Sequence, residues 1–563
     1  MLGSVTIINE NVKQSGQAIN ISLENQLTFN TQRKRFLGLN LERRVSENFI
    51  FGGTVVNYSE SPLTQKVNYG QEAVNNTMAG VNMLYNNQLP FLTRLTDKIP
   101  GINTEAPSNL NFRMEGAYLI PGINKGTNDQ SYIDDFEQTT SKISLKEPTA
   151  WSLASKPEKN QNYPIFNGAG SNNDLTNGYG RGLLSWYNID PRFWGVGGRP
   201  PEGITAQSVS NHASRRVQFS EIFNNRDFVA GEQTFTNTFD ISYYPAEKGP
   251  YNINPNTETT QQRWAGLMRP ISVSNFINSN IEYVEFWMMD PYADNRPLSQ
   301  PGGSPKLLLH LGNVSEDILK DGLMQYENGL PVPSAPSTTT SSNWGIQPKQ
   351  PAILYAFSTE GTDRTSQDLG YDGLGSDQES ARFGNTFINP VTNLSDPAVD
   401  DFVFYLSAKF TGNLASSLVQ RYKYFRGPEG NSQSNSLEVA SQTPDAEDIN
   451  KDYNLDQSEN YNEYVVNLDQ ASLALGQNNI VDVKTVQATF QNGQTDDVKW
   501  FLFRIPVNKY NEPNVGGDKD ASILNNVRFA RMLLTGFDNI STLRFGTMDL
   551  VRSDWRKYPN LIA

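Results

Sequence analysis

The sequence predicts a mainly β protein: part of a large transmembrane β-barrel that carries a large extramembrane, jelly-roll-like β insertion. Three observations predict it. First, residues 109–122 (NLNFRMEGAYLIPG) interleave Leu110, Phe112 and Met114 with Asn111, Arg113 and Glu115, and this alternation recurs upstream over about a hundred residues. Period-two alternation gives a strand one apolar and one polar face, and lipid outside with water inside demands that pattern of a barrel strand. Second, the chain changes character after Pro121 and reads as strands and polar loops to its end. Third, there is no run of the roughly twenty apolar residues that a membrane-spanning helix needs.

Strand-like runs in residues 1–123 cover 4–11, 18–30, 36–45, 49–58, 77–86 and 110–120, with turns or rim loops at 33–35 and 86–100. A closed bacterial barrel needs at least about eight strands. The rest of the barrel is therefore expected from elsewhere in a longer chain or from other copies; the competing reading is one soluble sheet. Residues 124–210 read as a loop-rich bridge with islands at 132–139, 151–155 and 183–190, and with Gly/Asn-rich loops at 167–182 and 195–203. Residues 211–560 read as an extracellular β-sandwich or jelly-roll-like cap that includes the acidic loop 445–459. Its strands are expected at 235–244, 281–289, 306–311, 401–408, 464–467, 482–490, 498–507, 527–535 and 542–551. The run VKWFLFRIPV has the near-continuous apolarity of a central strand. Asn313, with Glu316 three residues on, reads as a helix cap, and residues 334–343 as a linker.

A length of 563 residues exceeds one core. Lysine and arginine (46) against aspartate and glutamate (60) leave a net charge of −14, which argues against a nucleic-acid partner. Aromatics at 11% suit β-rich surfaces and membrane-interface girdles. There is no cysteine, so thiol chemistry and disulfides are excluded. With only His212 and His310, a multi-histidine zinc site is excluded within one chain. The segment MLGSVTIINENV lacks the features of an export signal, so an outer-membrane protein would carry that signal elsewhere.

The sharpest local signal is DINKDYNLDQSE. Asp448, Asn450, Asp452, Asn454, Asp456 and Glu459 fall at offsets 1, 3, 5, 7, 9 and 12, the oxygen-ligand spacing of a calcium loop. Tyr453 stands at the sixth position, where glycine makes the sharp turn, and no amphipathic helix flanks the loop. A dockerin-like or free-standing Ca²⁺ loop is expected, with Asp445 and Glu447 as further oxygen donors; the alternative is a solvated acidic turn. Asp134, Asp135 and Glu137 are poor partners for glycosidase chemistry, because neighbours on a strand face opposite ways. Residues 367–379 (QDLGYDGLGSDQE) lack a phosphate-loop ending and could form a second acidic metal-binding loop. His310 reads as a satisfied strand histidine. Trp264, Trp287, Trp500 and Trp555 are candidates for stacking on sugars, though most should be core. No catalytic constellation emerges.

Several segments together carry a resemblance: QLPFLTRLTDKIP, EGAYLIPG, SYIDDFEQTTSKISL, SWYNIDPRF, FDISYYPAEKGPYN, NIEYVEFWMMDPY, PDAEDINKDYNLDQSENYNEY and LRFGTMDLVRSDWRKY. The chain resembles the SprA/Sov family, the outer-membrane translocon of the type IX secretion system in Bacteroidota, which also supports gliding motility. Members are several times longer, so the chain resembles an internal section. The resemblance implies a very wide single-chain barrel in outer-membrane lipid that passes folded, secreted cargo. It also implies insertions at the cell surface, a lateral opening, a PorV-type cargo shuttle and a periplasmic plug protein. It implies no catalytic residue. The rival expectation is a surface glycan-binding protein; a secreted glycoside hydrolase would need two facing carboxylates.

Overall fold

The computed structural model describes residues 34–60, 73–122, 140–158, 163–166, 172–223, 233–294, 300–326, 330, 337–350, 356–357, 363, 367, 369–384, 387–425, 444–513 and 515–553. The strands expected at 4–11 and 18–30, the acids Asp134, Asp135 and Glu137, and Trp555 lie outside the described residues. The chain divides into two units, Met1–Gln138 and Thr139–Ala563.

In the first unit, β1 (Lys34–Ser46), β2 (Phe49–Glu60), β3 (Asn75–Gln88) and β4 (Asn109–Ile120) form an antiparallel meander in sequence order. Strands of 12 to 14 residues are about 40 Å long, or about 30 Å in height at a barrel-like tilt of about 45°. Paired residues share a face of a sheet, so register decides what each face is made of. Leu39 pairs with Val55, Val55 with Ala79 and Ala79 with Tyr118; two rows along, Arg43 pairs with Phe51, Phe51 with Met83 and Met83 with Met114. Most apolar positions of the four strands therefore fall on one face, with Arg43 and Asn57 among them. The opposite face carries Asn40, Glu42, Arg44, Thr54, Asn82, Arg113 and Glu115, interrupted by Phe36, Ile50, Val56, Met78, Leu84 and Leu119. The apolar face is uncovered within this unit: Leu39 is 59% exposed and Leu41 66%. Inside the expected rim loop, Pro90 starts a short helix, Pro90–Thr96, at the position where a missing N–H costs nothing.

The second unit is a two-sheet sandwich. Its strands are β5 (Thr140–Ser144), β6 (Ser152–Leu153), β7 (Gly182–Tyr187), β8 (Val217–Gln218), β9 (Phe235–Thr236), β10 (Phe239–Lys248), β11 (Trp264–Pro270), β12 (Ile281–Met289), β13 (Lys306–Asn313), β14 (Thr339–Ser341), β15 (Ile346–Pro348), β16 (Asn460–Asn467), β17 (Ile480–Thr489), β18 (Thr495–Pro506), β19 (Val515–Gly517), β20 (Phe529–Thr535) and β21 (Ser541–Ser553). One sheet runs β17-β18-β12-β21-β10-β7, with β5 also on β21; the other runs β19-β16-β13-β20-β11-β6. Stripped of edge strands, these are β10-β21-β12-β18 facing β11-β20-β13-β16. Each antiparallel step from β10 to β13 crosses to the other sheet, which is the jelly-roll arrangement of two Greek keys. The inner faces supply one continuous core, including Trp186, Phe239, Phe286, Phe503 and Phe545 from the first sheet and Leu267, Leu309, Val466 and Met532 from the second.

The segment expected as a bridge contributes β5 and β7 to the larger sheet through their pairing with β21 and β10. β18 is buried as its apolar run requires and lies between β17 and β12. Residues 401–408 do not form the expected strand: Phe402 and Val403 are buried in a loop, and Val403 N–H bonds the Tyr424 carbonyl rather than a strand. Asn313 ends β13 instead of capping a helix, because Glu316 is drawn beneath the acidic loop. In the expected linker, residues 339–341 pair with β15. No helix among the described residues is long and apolar enough to cross a membrane.

Candidate functional site

The acidic loop curls as its spacing anticipates. Asp448 accepts from the N–H groups of Asp452 (3.0 Å) and Tyr453 (2.8 Å), and Asn450 Oδ1 accepts from Asp452 N–H (2.9 Å). Tyr453 takes φ 62°, the left-handed turn that glycine makes at no steric cost, and Lys451 takes φ 60°. The oxygens, however, are engaged. Arg528 donates to Asp456 Oδ1 (2.6 Å) and Asp452 Oδ2 (2.8 Å), and Asn450 Nδ2 donates to Asp456 Oδ2 (3.0 Å). Asn454 donates its N–H to Asp452 Oδ1 (2.9 Å). Glu459 points away and takes a bidentate pair from Arg531 (2.6 and 2.9 Å). The positive charge among these acids is thus the Arg528 guanidinium, and the twelfth-position ligand is not in the ring. Glu447 is buried and anchors the backbone N–H groups of Ile318, Leu319 and Gln325. Beneath the loop Glu316 accepts from the N–H groups of Ile449, Asn450 and Asp456. Burial pushes its carboxyl up to about 8, repulsion from Asp456 and Asp448 adds to this, and the backbone donors oppose it.

Arg531 belongs to a polar row across the outer face of the smaller sheet. His310 stands opposite Glu463 on β16 and opposite Arg531 on β20. Arg531 Nε donates to His310 Nδ1 (3.0 Å), which leaves the His310 Nε2–H to donate to Glu463 (2.8 Å). Tyr461 stacks on the His310 ring at 4.1 Å. Burial, then the Arg531 charge, holds His310 below its usual pKa. His212 repeats the arrangement: Arg215 Nε donates to its Nδ1 (3.2 Å) and Nε2 faces Asp496 (3.2 Å), while Arg215 grips Glu221 at 2.7 and 2.6 Å. Both ring nitrogens of both histidines are therefore engaged, so each works as a spacer between an arginine and a carboxylate. His310 is the satisfied strand histidine its context suggests. Trp264, Trp287 and Trp500 are all buried and present no face to a sugar.

A second acidic centre joins segments that the sequence keeps apart. The expected loop at 367–379 brings Asp372 and Glu379 to Asp400, all three buried, with carboxylate oxygens within 4.8 Å of one another; Asp396, Asp400 and Asp401 form an adjoining group. Glu379 sits in the helix Ser376–Phe383 and accepts from Ala398 N–H (2.9 Å), while Asp396 accepts from Asp400 N–H (3.1 Å). Gly370 has φ +76°, and a Cβ there would lie 2.2 Å from an Asp400 oxygen, so only glycine lets the backbone pass this carboxylate. Burial, then Asp400, pushes Asp372 well above the carboxylate range; burial, then Asp372, pushes Glu379 up to about 9. Of these five acids, spacing marked only Asp372 and Glu379 as members of a candidate loop. A cleft of about 730 Å³, lined in part by Ser210, Asn211, Asp290, Asp294, Ser417 and Gln420, opens elsewhere in this unit.

One titration has a measurable consequence. Burial pushes Asp549 on β21 up to about 6, with Lys142 opposing and Glu285 adding. A carboxyl with a folded pKa above its unfolded value near 3.9 binds its proton more tightly when folded. Its contribution is present at low pH, falls as pH rises from about 4 to about 6, and stays lost above. Asp549→Asn is expected to stabilise the sandwich by about 2 kcal/mol at pH 7.5 and by nothing at pH 4. Urea unfolding followed by tryptophan fluorescence reads this directly, because all eight Trp lie at position 151 or later. An equal effect at both pH values would contradict it.

A search of curated proteins found no match. Residues 385–563, about a third of the chain, match the family model SprA_N, described as a motility related/secretion protein. That match and the β architecture support a place for the chain among the SprA/Sov motility and secretion proteins, with residues 385–563 as the part that is similar.

Proposed function

We propose that this chain is a section of the outer-membrane protein-conducting translocon of type IX secretion, exporting folded cargo and supporting gliding motility, with the sandwich as cap or gate at the cell surface. The carrying observation is the register of β1–β4, which gathers most of the apolar residues of four strands on one exposed face and most of the charged ones on the other. Hydrocarbon on one side and water on the other require that division. An open sheet edge is not tolerated in lipid, so β1 and β4 must be continued by further strands. A barrel wide enough for folded cargo cannot be filled by its own side chains and needs a separate closure. The sandwich is sized for that role, and its engaged histidines fit a part that does no chemistry. A PorV-type shuttle and a periplasmic plug are the expected partners.

No cysteine within these 563 residues competes for a thiol label, and the unsubstituted parent protein is the control for any outside them. Leu475→Cys, at a site 65% exposed on the sandwich, is expected to react with a membrane-impermeant maleimide on intact cells, and Leu39→Cys only after solubilisation. Labelling of Leu475→Cys only in lysed cells would sink the surface cap. Deleting the parent gene is expected to trap cargo in the periplasm with other outer-membrane proteins intact. A second reading, surface glycan binding, is favoured by the cleft beside His212, where Asn211, Asp290, Asp294 and Gln420 stand among apolar side chains. A glycan-array signal lost in Gln420→Ala would bring it forward.

A further inference from the structure

Asp372, Glu379 and Asp400, with Asp396 and Asp401 beside them, bring carboxylates from two stretches of the sandwich unit, residues 372–379 and 396–401, to one point. We propose that this point is a calcium site, separate from the acidic loop at 448–459. Two oxygens on opposite sides of a Ca²⁺ ion, each about 2.4 Å from it, stand about 4.8 Å apart. The oxygens of Asp372, Glu379 and Asp400 all lie within 4.8 Å of one another, a spacing that one ion can bridge. The independent sign of a missing ligand is Asp372. The residue is 1% exposed, its Oδ1 accepts from Leu374 N–H (2.9 Å), and its Oδ2 is buried with no hydrogen-bond partner. A buried carboxylate oxygen in that state is costly unless a cation takes it.

The acidic loop differs on this point. Its carboxylates already hold Arg528, and among the described residues they do not gather three acidic oxygens within the same distance. The chemistry at the second centre selects a hard divalent cation, because every side-chain donor is a carboxylate oxygen. Asp401 is only half-buried and offers the way in. A bound ion would tie residues 370–379 to residues 396–401. Backbone contacts already converge there: Tyr371 N–H donates to Tyr251 Oη (2.9 Å) and Tyr251 N–H donates to the Ala398 carbonyl (2.6 Å).

The test is calorimetric titration of CaCl₂ into the full chain in detergent, after chelator treatment, with melting temperature followed in parallel. One ion per chain is expected, with a Tm several degrees higher in millimolar calcium than in chelator. Asp372→Asn should abolish the binding heat and the calcium-dependent Tm shift, and Asp452→Asn should leave both unchanged. Asp401→Asn, at the rim, is the second variant should Asp372→Asn not fold; it should weaken binding at least about tenfold. No heat and no Tm shift in the wild type would overturn the site and leave a cluster of shared protons. Binding lost in Asp452→Asn but kept in Asp372→Asn or Asp401→Asn would move the ion to the acidic loop and overturn it equally.

Discussion

Arg531→Ala is expected to destabilise the sandwich by about 3–5 kcal/mol, the range for removing one partner of a buried ion pair. Arg531 is fully buried and Glu459 nearly so. The guanidinium also satisfies His310 Nδ1 and donates to Ser155 Oγ at 3.2 Å. Its removal leaves the Glu459 charge buried and His310 short of a donor, so the loss spreads across three strands and the end of the acidic loop. Arg531→Lys should fall between, since an ammonium keeps the charge but cannot reproduce the bidentate fork. Arg528→Ala is the control. Its pair with Asp452 is 33% and 41% exposed and its pair with Asp456 33% and 11%; solvent reaches the guanidinium in both, and screening limits such pairs to about 1 kcal/mol each. Urea unfolding followed by tryptophan fluorescence measures all three variants. An Arg531→Ala midpoint indistinguishable from wild type would show that the polar row does not stabilise the sheet.

The second large effect belongs to the four-stranded unit. Leu39→Arg is expected to cost about 2–4 kcal/mol of membrane stability, the range for arginine on the lipid face near the bilayer midplane. Asn40→Arg, one residue along and on the other face, should cost close to nothing. Leu39 and Asn40 lie near the middle of β1 and differ only in the face they occupy. Recovery of each variant in the outer-membrane fraction, and its stability on refolding into lipid vesicles, separates the two. Equal losses would mean that both faces meet the same solvent, and the sheet would not be a barrel wall.

Local patterns were readable wherever a strand's own alternation or apolarity was enough. The strand at 281–289 is present with those bounds, and the run at 498–507 is the buried strand its composition implies. The reading failed where burial comes without a ladder. Phe402 and Val403 resemble a strand in composition, but they are held by the chain around Tyr424 rather than by a neighbouring strand. It failed again at Glu316, whose capping-box spacing was overridden by a place beneath a loop more than a hundred residues later. The acidic loop shows both outcomes. Its curl follows from Asx chemistry within a few residues, whereas the engagement of its oxygens depends on Arg528 and Arg531, some seventy residues away.

The sequence by itself determined the class of the protein: two-faced strands without a membrane helix, then a cysteine-free, acidic β insert whose segments resemble a secretion family. These are properties of composition and of a period of two, and each is written within a few neighbouring residues. Only the tertiary structure decided that four apolar stripes share one face, that Arg531, His310 and Glu463 form a row, and that Asp372 meets Asp400. The reason is physical. A side chain's face on its own strand is a local matter, but register and loop closure join residues far apart in sequence, and no local pattern specifies which distant partner is met.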